Sequence, residues 1–230
     1  VIELNAKAKA TAYQLHGPLK CVVLMKRIIA CSDTHGKHLY LPVPEGDVFI
    51  FAGDFEIRNT FDLIEMSTWL DNLPHKNVVA IFGNHDFTEH YPKENMKQMF
   101  GRVHLLFNES IIVDGLKIWG SPYCPYFNNW AWMQPDNMLA EIWATIPLET
   151  EIVVTHSMPY GILDGVLPRM QSVGSLTLRD RIKDIHPYIQ IGGHLHESYG
   201  QYTDGKTDYY NVAVMDEQYK IVNPCTIIDV

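Results

Sequence analysis

The 230-residue sequence predicts an α/β fold, and three features point there. Short, unbroken apolar runs recur along the chain. Amphipathic stretches of helical period lie between them. Five of the runs stop abruptly at a polar cluster of histidine, carboxylate or amide. Unbroken apolar runs mark strands covered on both faces. Their alternation with helical stretches is the signature of an α/β architecture.

Taken in order, Ile28-Ile29-Ala30-Cys31 leads into Ser32-Asp33-Thr34-His35. The second run, Val48-Phe49-Ile50-Phe51-Ala52, leads into Gly53-Asp54. Thr60 to Leu73 then sets Phe61, Ile64, Trp69 and Leu70 among acids at helical spacing. Val78-Val79-Ala80-Ile81-Phe82 leads into Gly83-Asn84-His85-Asp86. Pro92 to Phe100 reads as a helix opening on a first-turn proline. Met138 to Ile146 is a further helix, after which Ile152-Val153-Val154-Thr155 leads into His156. Val173 to Ile185 is the last helix, and Tyr188-Ile189-Gln190-Ile191 leads into Gly192-Gly193-His194-Leu195-His196. The paired glycines let the backbone bend and approach something closely. On extended backbone His194 and His196 would project to one side, roughly 6–7 Å apart at their roots. In open α/β sheets ligands bind off the carboxyl ends of the strands, which is where all five clusters fall.

Composition narrows the partners. With 47% hydrophobic and 20% charged residues the chain is ordinary globular material, long enough for one large domain. Its formal charge of −9 comes without a basic block, so binding to a nucleic-acid polymer is not expected. The four cysteines, Cys21, Cys31, Cys124 and Cys225, form no CxxC pair. That argues against a disulfide scaffold or a thiolate zinc site and suits a reducing compartment. No run approaches the ~20 apolar residues that span a bilayer. A cytoplasmic location and no membrane partner are therefore expected. Residues 1–24 differ in character from the rest, and Met25-Lys26-Arg27 looks like a natural start. They are read as an extension, or with equal weight as an added edge element, ahead of a single domain over residues 25–230.

Apart from Asp86, the five clusters together hold two carboxylates, an asparagine amide and five histidines. Imidazole, carboxylate and amide oxygen without thiolate suit a borderline-to-hard divalent ion such as Mn, Fe, Ni, Co or Zn. So many ligands exceed the need of one ion, and two ions sharing a carboxylate would use them all.

As an ordered set, Asp33-x-His35, Gly53-Asp54, Gly83-Asn84-His85-Asp86, a lone His156 and Gly193-His194-x-His196 resemble the calcineurin-like metallophosphoesterases. The resemblance covers residues 26 to 230. Trp119-Gly120-Ser121-Pro122-Tyr123, the tryptophan-rich segment after it, and His194-Leu195-His196-Glu197-Ser198-Tyr199-Gly200 are similar more narrowly to the MPPED branch, associated with phosphodiesterase activity, including on cyclic nucleotides. The resemblance implies a four-layer αββα sandwich, two mixed sheets flanked by helices. It also implies that Asp33, His35 and His196 bind one metal, that Asn84, His156 and His194 bind a second, and that Asp54 bridges them. Two divalent ions bring about +4, the two carboxylates and a bridging hydroxide remove three, and about +1 remains to face an anionic phosphate. Metal-bound water can ionise near pH 7, so hydroxide would be available for in-line attack on phosphorus. His85 matches the position that protonates the leaving oxygen. Arg58 matches a phosphate-clamping arginine, whose planar fork suits phosphate oxygens.

One departure stands out. Several members continue GDxxD, the last aspartate orienting the histidine acid, whereas here the fourth residue after the glycine is Ile57. Glu56 and Asp86 are left as substitutes, although neighbouring side chains on a strand point apart. A weakly oriented His85 would favour activated diesters over alkyl monoesters. The aromatic segment Tyr123 to Trp132 is expected to pack on the domain or in an oligomer contact, with a lid or base-stacking face as the alternative. The expected activity is hydrolysis of a small phosphodiester, a cyclic nucleotide included, with Mn as the activating ion. The alternatives are a phosphomonoesterase or phosphoprotein phosphatase, and a non-catalytic scaffold of the same fold.

Overall fold

The computed structural model describes residues 25–230. The extension expected at residues 1–24 lies outside them. In chain order the first strands are β1 (Arg27–Cys31), β2 (Val48–Ala52), β3 (Asn77–Ile81), β4 (His104–Leu105), β5 (Glu109–Val113), β6 (Leu116–Ser121), β7 (Cys124–Pro125) and β8 (Met133–Gln134). The rest are β9 (Ile152–Thr155), β10 (Gly165–Val166), β11 (Gln171–Ser172), β12 (Ile189–Gly192), β13 (Gly200–Thr203), β14 (Asp208–Asn211) and β15 (Thr226–Asp229). The α-helices are α1 (Thr60–Asp71), α2 (Lys93–Met99), α3 (Asp136–Trp143) and α4 (Leu176–Ile185).

Two mixed sheets form the body. One has five strands in the order β15-β1-β2-β3-β4, the other six in the order β13-β14-β12-β9-β6-β5. In the first, only β15 is antiparallel to its neighbour. In the second, β14, β12, β9 and β6 run parallel between antiparallel edge strands. Strand period two then sorts the apolar runs into layers. Ile28, Ala30, Ile50 and Val79 pack with Ile152, Val154 and Ile191 between the sheets. Their alternates Ile29, Phe49, Phe51 and Val78 pack against Leu63, Met66 and Leu70 of α1 and Met96 of α2. Trp119, Val153 and Tyr209 pack against Leu139 and Trp143 of α3 and Leu178 and Ile182 of α4. Three apolar interfaces between four layers make the expected αββα sandwich, and unbroken apolar runs are what strands in such a position require.

Helix ends depart from the periodicity for local reasons. Asn59 caps α1, its side chain accepting from the N–H of Phe61 and Asp62. α4 begins at Leu176 rather than Val173, because Ser175 caps it through the Leu178 N–H while Gln171–Ser172 pair as β11. α3 spans Asp136–Trp143 rather than Met138 to Ile146, since Pro135 precedes its first turn and tight turns bonded to Ile142 and Trp143 finish it. Among the described residues no helix is long and apolar enough to cross a membrane.

Burial pushes the imidazoles of His38, His75 and His104 below their ordinary range. The folded state thus binds fewer protons than the unfolded one, so these groups support stability above about pH 6.5 and withdraw it as pH falls. His75 is buried, with Nε2 3.0 Å from the Pro44 carbonyl. His75→Gln, which can keep that hydrogen bond, is expected to make the fall of the urea midpoint below about pH 6.5 shallower. An unchanged slope would contradict this.

Candidate metal centre

Parallel strands end on the same edge of their sheets. The tails of β1, β2 and β3 therefore meet those of β9 and β12 across the sandwich. Asp33 and His35 follow β1, Asp54 follows β2, Asn84 and His85 follow β3, His156 follows β9, and His194 and His196 follow β12. Donor atoms of Asp33, His35 and His196 lie within 4.8 Å of one another, and so do those of Asp54, His156 and His194. Asp54 stands between the groups: Oδ1 is 3.3 Å from His156 Nε2 and Oδ2 is 3.8 Å from His35 Nε2. Asn84 Oδ1 joins the second group, 3.0 Å from His156 Nε2. All seven residues expected to bind metal are thus brought together.

The imidazoles are oriented for ligation. His35 Nδ1 is 2.8 Å from Glu56 Oε2, His156 Nδ1 is 2.9 Å from the Ala52 carbonyl, and His196 Nδ1 is 3.0 Å from the Asp216 carbonyl. Each Nδ1–H donates outward and leaves the Nε2 lone pair aimed inward, an arrangement typical of metal-bound histidine. Those lone pairs meet others. His35 Nε2 is 3.4 Å from His196 Nε2, which is itself 3.4 Å from Asp33 Oδ1. Adjacent donors on one ion with bonds near 2.1 Å lie roughly 3.0–3.4 Å apart. Acceptors facing acceptors at such separations call for a cation among them, and the donor set fits the group. Asn84 makes the same point, for its buried Nδ2 has no partner while its oxygen is turned to the site.

The electrostatics agree. Burial works to lower His156 and His196, yet Asp54 beside the first and Asp33 beside the second lift each to about 9. A proton on either Nε2 would answer the neighbouring carboxylate as a metal ion would, so each group attracts positive charge. Burial and the charge on His156 push His194 down to about 4. Burial opposes ionisation of Asp33, but His196 and His156 hold it down at about 2. Asp54 likewise resists its burial through His156 and His35 and lies well below the carboxylate range.

The backbone is bent to achieve this. Asp33, His35, Asp54, Glu56 and His194 have φ of 57°, 38°, 61°, 83° and 70°, conformations that cost of order 1–3 kcal/mol each and gather where function needs them. His194 therefore does not lie on extended backbone, and His196 opens a single 3-10 turn. The two imidazoles reach different groups because the chain twists between them. The glycines leave room: a Cβ at Gly83 would stand 2.3 Å from Asp54 Oδ1, and one at Gly193 2.0 Å from Ser32 Oγ. Asp86 ties the loops from within. Its oxygens accept from the N–H of Gly83, Asp54, Glu56 and Ile57 at 2.9–3.2 Å. Burial and Asp54 push its carboxyl up to about 7, against the pull of the Gly83 and Ile57 N–H groups.

A cavity of about 560 Å³ opens onto the two groups. His85 lines it, as do Tyr126, Phe127, Trp130, Leu167 and Tyr219. The aromatic segment divides its duties. Trp132 is buried against Phe82 and Phe107, whereas the Trp130 ring stands 4.6 Å from that of His85. Arg58 is not brought to the cavity. Its side chain is 69% exposed and its Nη2 is 2.6 Å from Glu56 Oε1. The sequence carries no signal for Tyr219, whose ring stands edge-on to His35 and His196 at 4.8 and 5.4 Å.

The family profile described as calcineurin-like phosphoesterase matches residues 26–198, which takes in every residue of the two groups. The chain belongs to that family. Within it, this phosphoesterase is 33% identical over 229 residues to the human metallophosphoesterase domain-containing protein 1, with 88% of this chain and 70% of the relative aligned. The mouse protein of the same name matches equally. Both place the chain in the MPPED-like branch. A solved structure covering 90% of this chain and 99% of its own superposes with a TM-score of 0.61 at 13% identity, a likeness of fold. The phosphoesterase is accordingly a metal-dependent hydrolase of small phosphoesters, in a family that works with two metal ions.

Proposed function

We propose that this phosphoesterase hydrolyses phosphodiesters, cyclic nucleotides among them, with manganese as the activating ion. Asp33, His35 and His196 would hold one ion, Asn84, His156 and His194 the other, and Asp54 would serve both. When bound, the ions supply Lewis-acid charge at the phosphoryl oxygens and lower the pKa of a coordinated water. The Nδ1 partners of His35, His156 and His196 keep those rings from rotating. His85 lines the cavity and is the proton donor to the leaving oxygen. Burial holds its imidazole below the ordinary value, so little of it is protonated near neutral pH. Diesters with good leaving groups, which need little proton transfer, suit such an acid.

The observation that carries the preference for diesters is the cavity wall. Among the described residues that line it there is no lysine or arginine, while aromatic rings and Val166, Leu167 and Val173 are joined by Glu197 and Glu217. A centre with a net charge of about +1 matches one negative charge on phosphorus. The two glutamates oppose a second, and the rings accept an organic substituent such as a base. With Mn²⁺ present, kcat/KM for bis-p-nitrophenyl phosphate is expected to exceed that for p-nitrophenyl phosphate by about tenfold or more, about 1.4 kcal/mol in differential transition-state binding. Assays of 3′,5′- and 2′,3′-cyclic nucleotides would follow. A faster monoester would make the protein a phosphomonoesterase. No turnover of either, with metal bound, would leave a scaffold.

A further inference from the structure

Glu56 belongs to neither of the two ligand groups above, yet its carboxylate lies beside two residues of the site, His35 and His85. Its φ of 83° is left-handed, like the 61° of Asp54, so the chain between them leaves the strand path. Oε2 lies 2.8 Å from His35 Nδ1 and 3.8 Å from His85 Nδ1. Oε1 accepts from Arg58, with Nε at 3.0 Å and Nη2 at 2.6 Å. Its main-chain N–H is fixed by Asp86 Oδ1 at 3.0 Å. The carboxylate is thus held from behind by the Arg58 guanidinium while Asp86 fixes its main chain, and its other oxygen faces two imidazoles 4.9 Å apart at their ring centres.

We propose that Glu56 is the positioning carboxylate of this centre: it fixes His35 with its Nε2 lone pair inward and orients His85 for proton transfer, while Arg58 locks it in place. Ile57 can then be apolar without loss, because the residue before it does the orienting. Ile57 is fully buried in the core beside Phe55. Arg58 acts at one remove from the substrate.

The inference rests on the metal-site reading, and Mn²⁺ titration of the full chain followed by electron paramagnetic resonance separates the two. If the wild-type protein binds no Mn²⁺, that reading fails. If it binds, Glu56→Ala is expected to weaken Mn²⁺ affinity by about 10–100-fold, the usual cost of losing a partner behind a ligating histidine. Glu56→Gln, which still offers His35 an acceptor, is expected to restore affinity to within about threefold. It should not restore the His85 arm. Across aryl phosphodiesters of increasingly poor leaving group, both variants are expected to lose rate progressively, by about 10²-fold at the poor end, the lower range for general acid catalysis. For Arg58→Ala, a lock predicts weaker Mn²⁺ binding with KM unchanged, whereas a substrate clamp predicts a KM rise of about tenfold with binding untouched. Glu56→Ala with wild-type affinity, a rate loss uniform across leaving groups, or a clamp-like Arg58→Ala would each overturn the assignment.

Discussion

Replacing Asp54 with asparagine is expected to lower kcat/KM by at least about 10³-fold, the upper range for loss of one electrostatic group in an active site. Asp54 turns one oxygen toward each ligand group. An amide keeps the shape and can still accept from the His85 N–H, which lies 2.8 Å from Oδ1. It cannot supply negative charge to two ions. Metal binding should therefore fail while the fold survives, and a melt distinguishes these. At Mn²⁺ about a thousandfold above its dissociation constant, the wild-type protein should gain about 4 kcal/mol, roughly 8–16 °C for a chain of this size. Asp54→Asn should melt at a similar temperature to wild type without metal and gain little on adding it. A full Mn²⁺-dependent shift in Asp54→Asn, with turnover intact, would remove Asp54 from the bridging position.

How much of this was legible in the chain follows from which atoms do the work. Side chains at the carboxyl ends of parallel strands announce themselves, since an apolar run must end where the chain leaves the core. Asp33, Asp54, Asn84, His156 and His194 could be found that way. The atoms that orient the histidines could not. Two of the three are main-chain carbonyls, of Ala52 and Asp216, and any residue could carry them. Tyr219 reaches the site from the long connection between β14 and β15, far from any run that ends in a cluster. Glu56 was visible as a carboxylate, but its reach to His35 and His85 runs through a left-handed stretch of backbone that sequence spacing does not reveal. The same blindness misplaced His194 on extended backbone. Patterns report where a strand stops; they do not report how the chain turns afterwards.

That turning is itself held by one side chain, and its removal should be the most damaging to stability. Asp86→Ala is expected to cost about 4 kcal/mol, since each buried donor left without a partner costs about 1–3 kcal/mol. Asp86 is fully buried, and its two oxygens accept four main-chain N–H groups from two different loops. Alanine takes the acceptor from all four donors at once. Three of the four lie on Asp54, Glu56 and Ile57, so the loop that carries the shared ligand and the positioning carboxylate loses its anchor together with the Gly83 turn. The melting temperature of the metal-free protein should fall by roughly 8–16 °C. Asp86→Asn, with one oxygen still able to accept, should fall by less, because its amide faces donors on only one side. Metal affinity should decline in both, following the loss of loop order. A metal-free Asp86→Ala protein that melts within about 2 °C of wild type, less than 1 kcal/mol, would mean that the loops hold their left-handed conformations by other contacts. The φ values of Asp54 and Glu56 would then need a different cause.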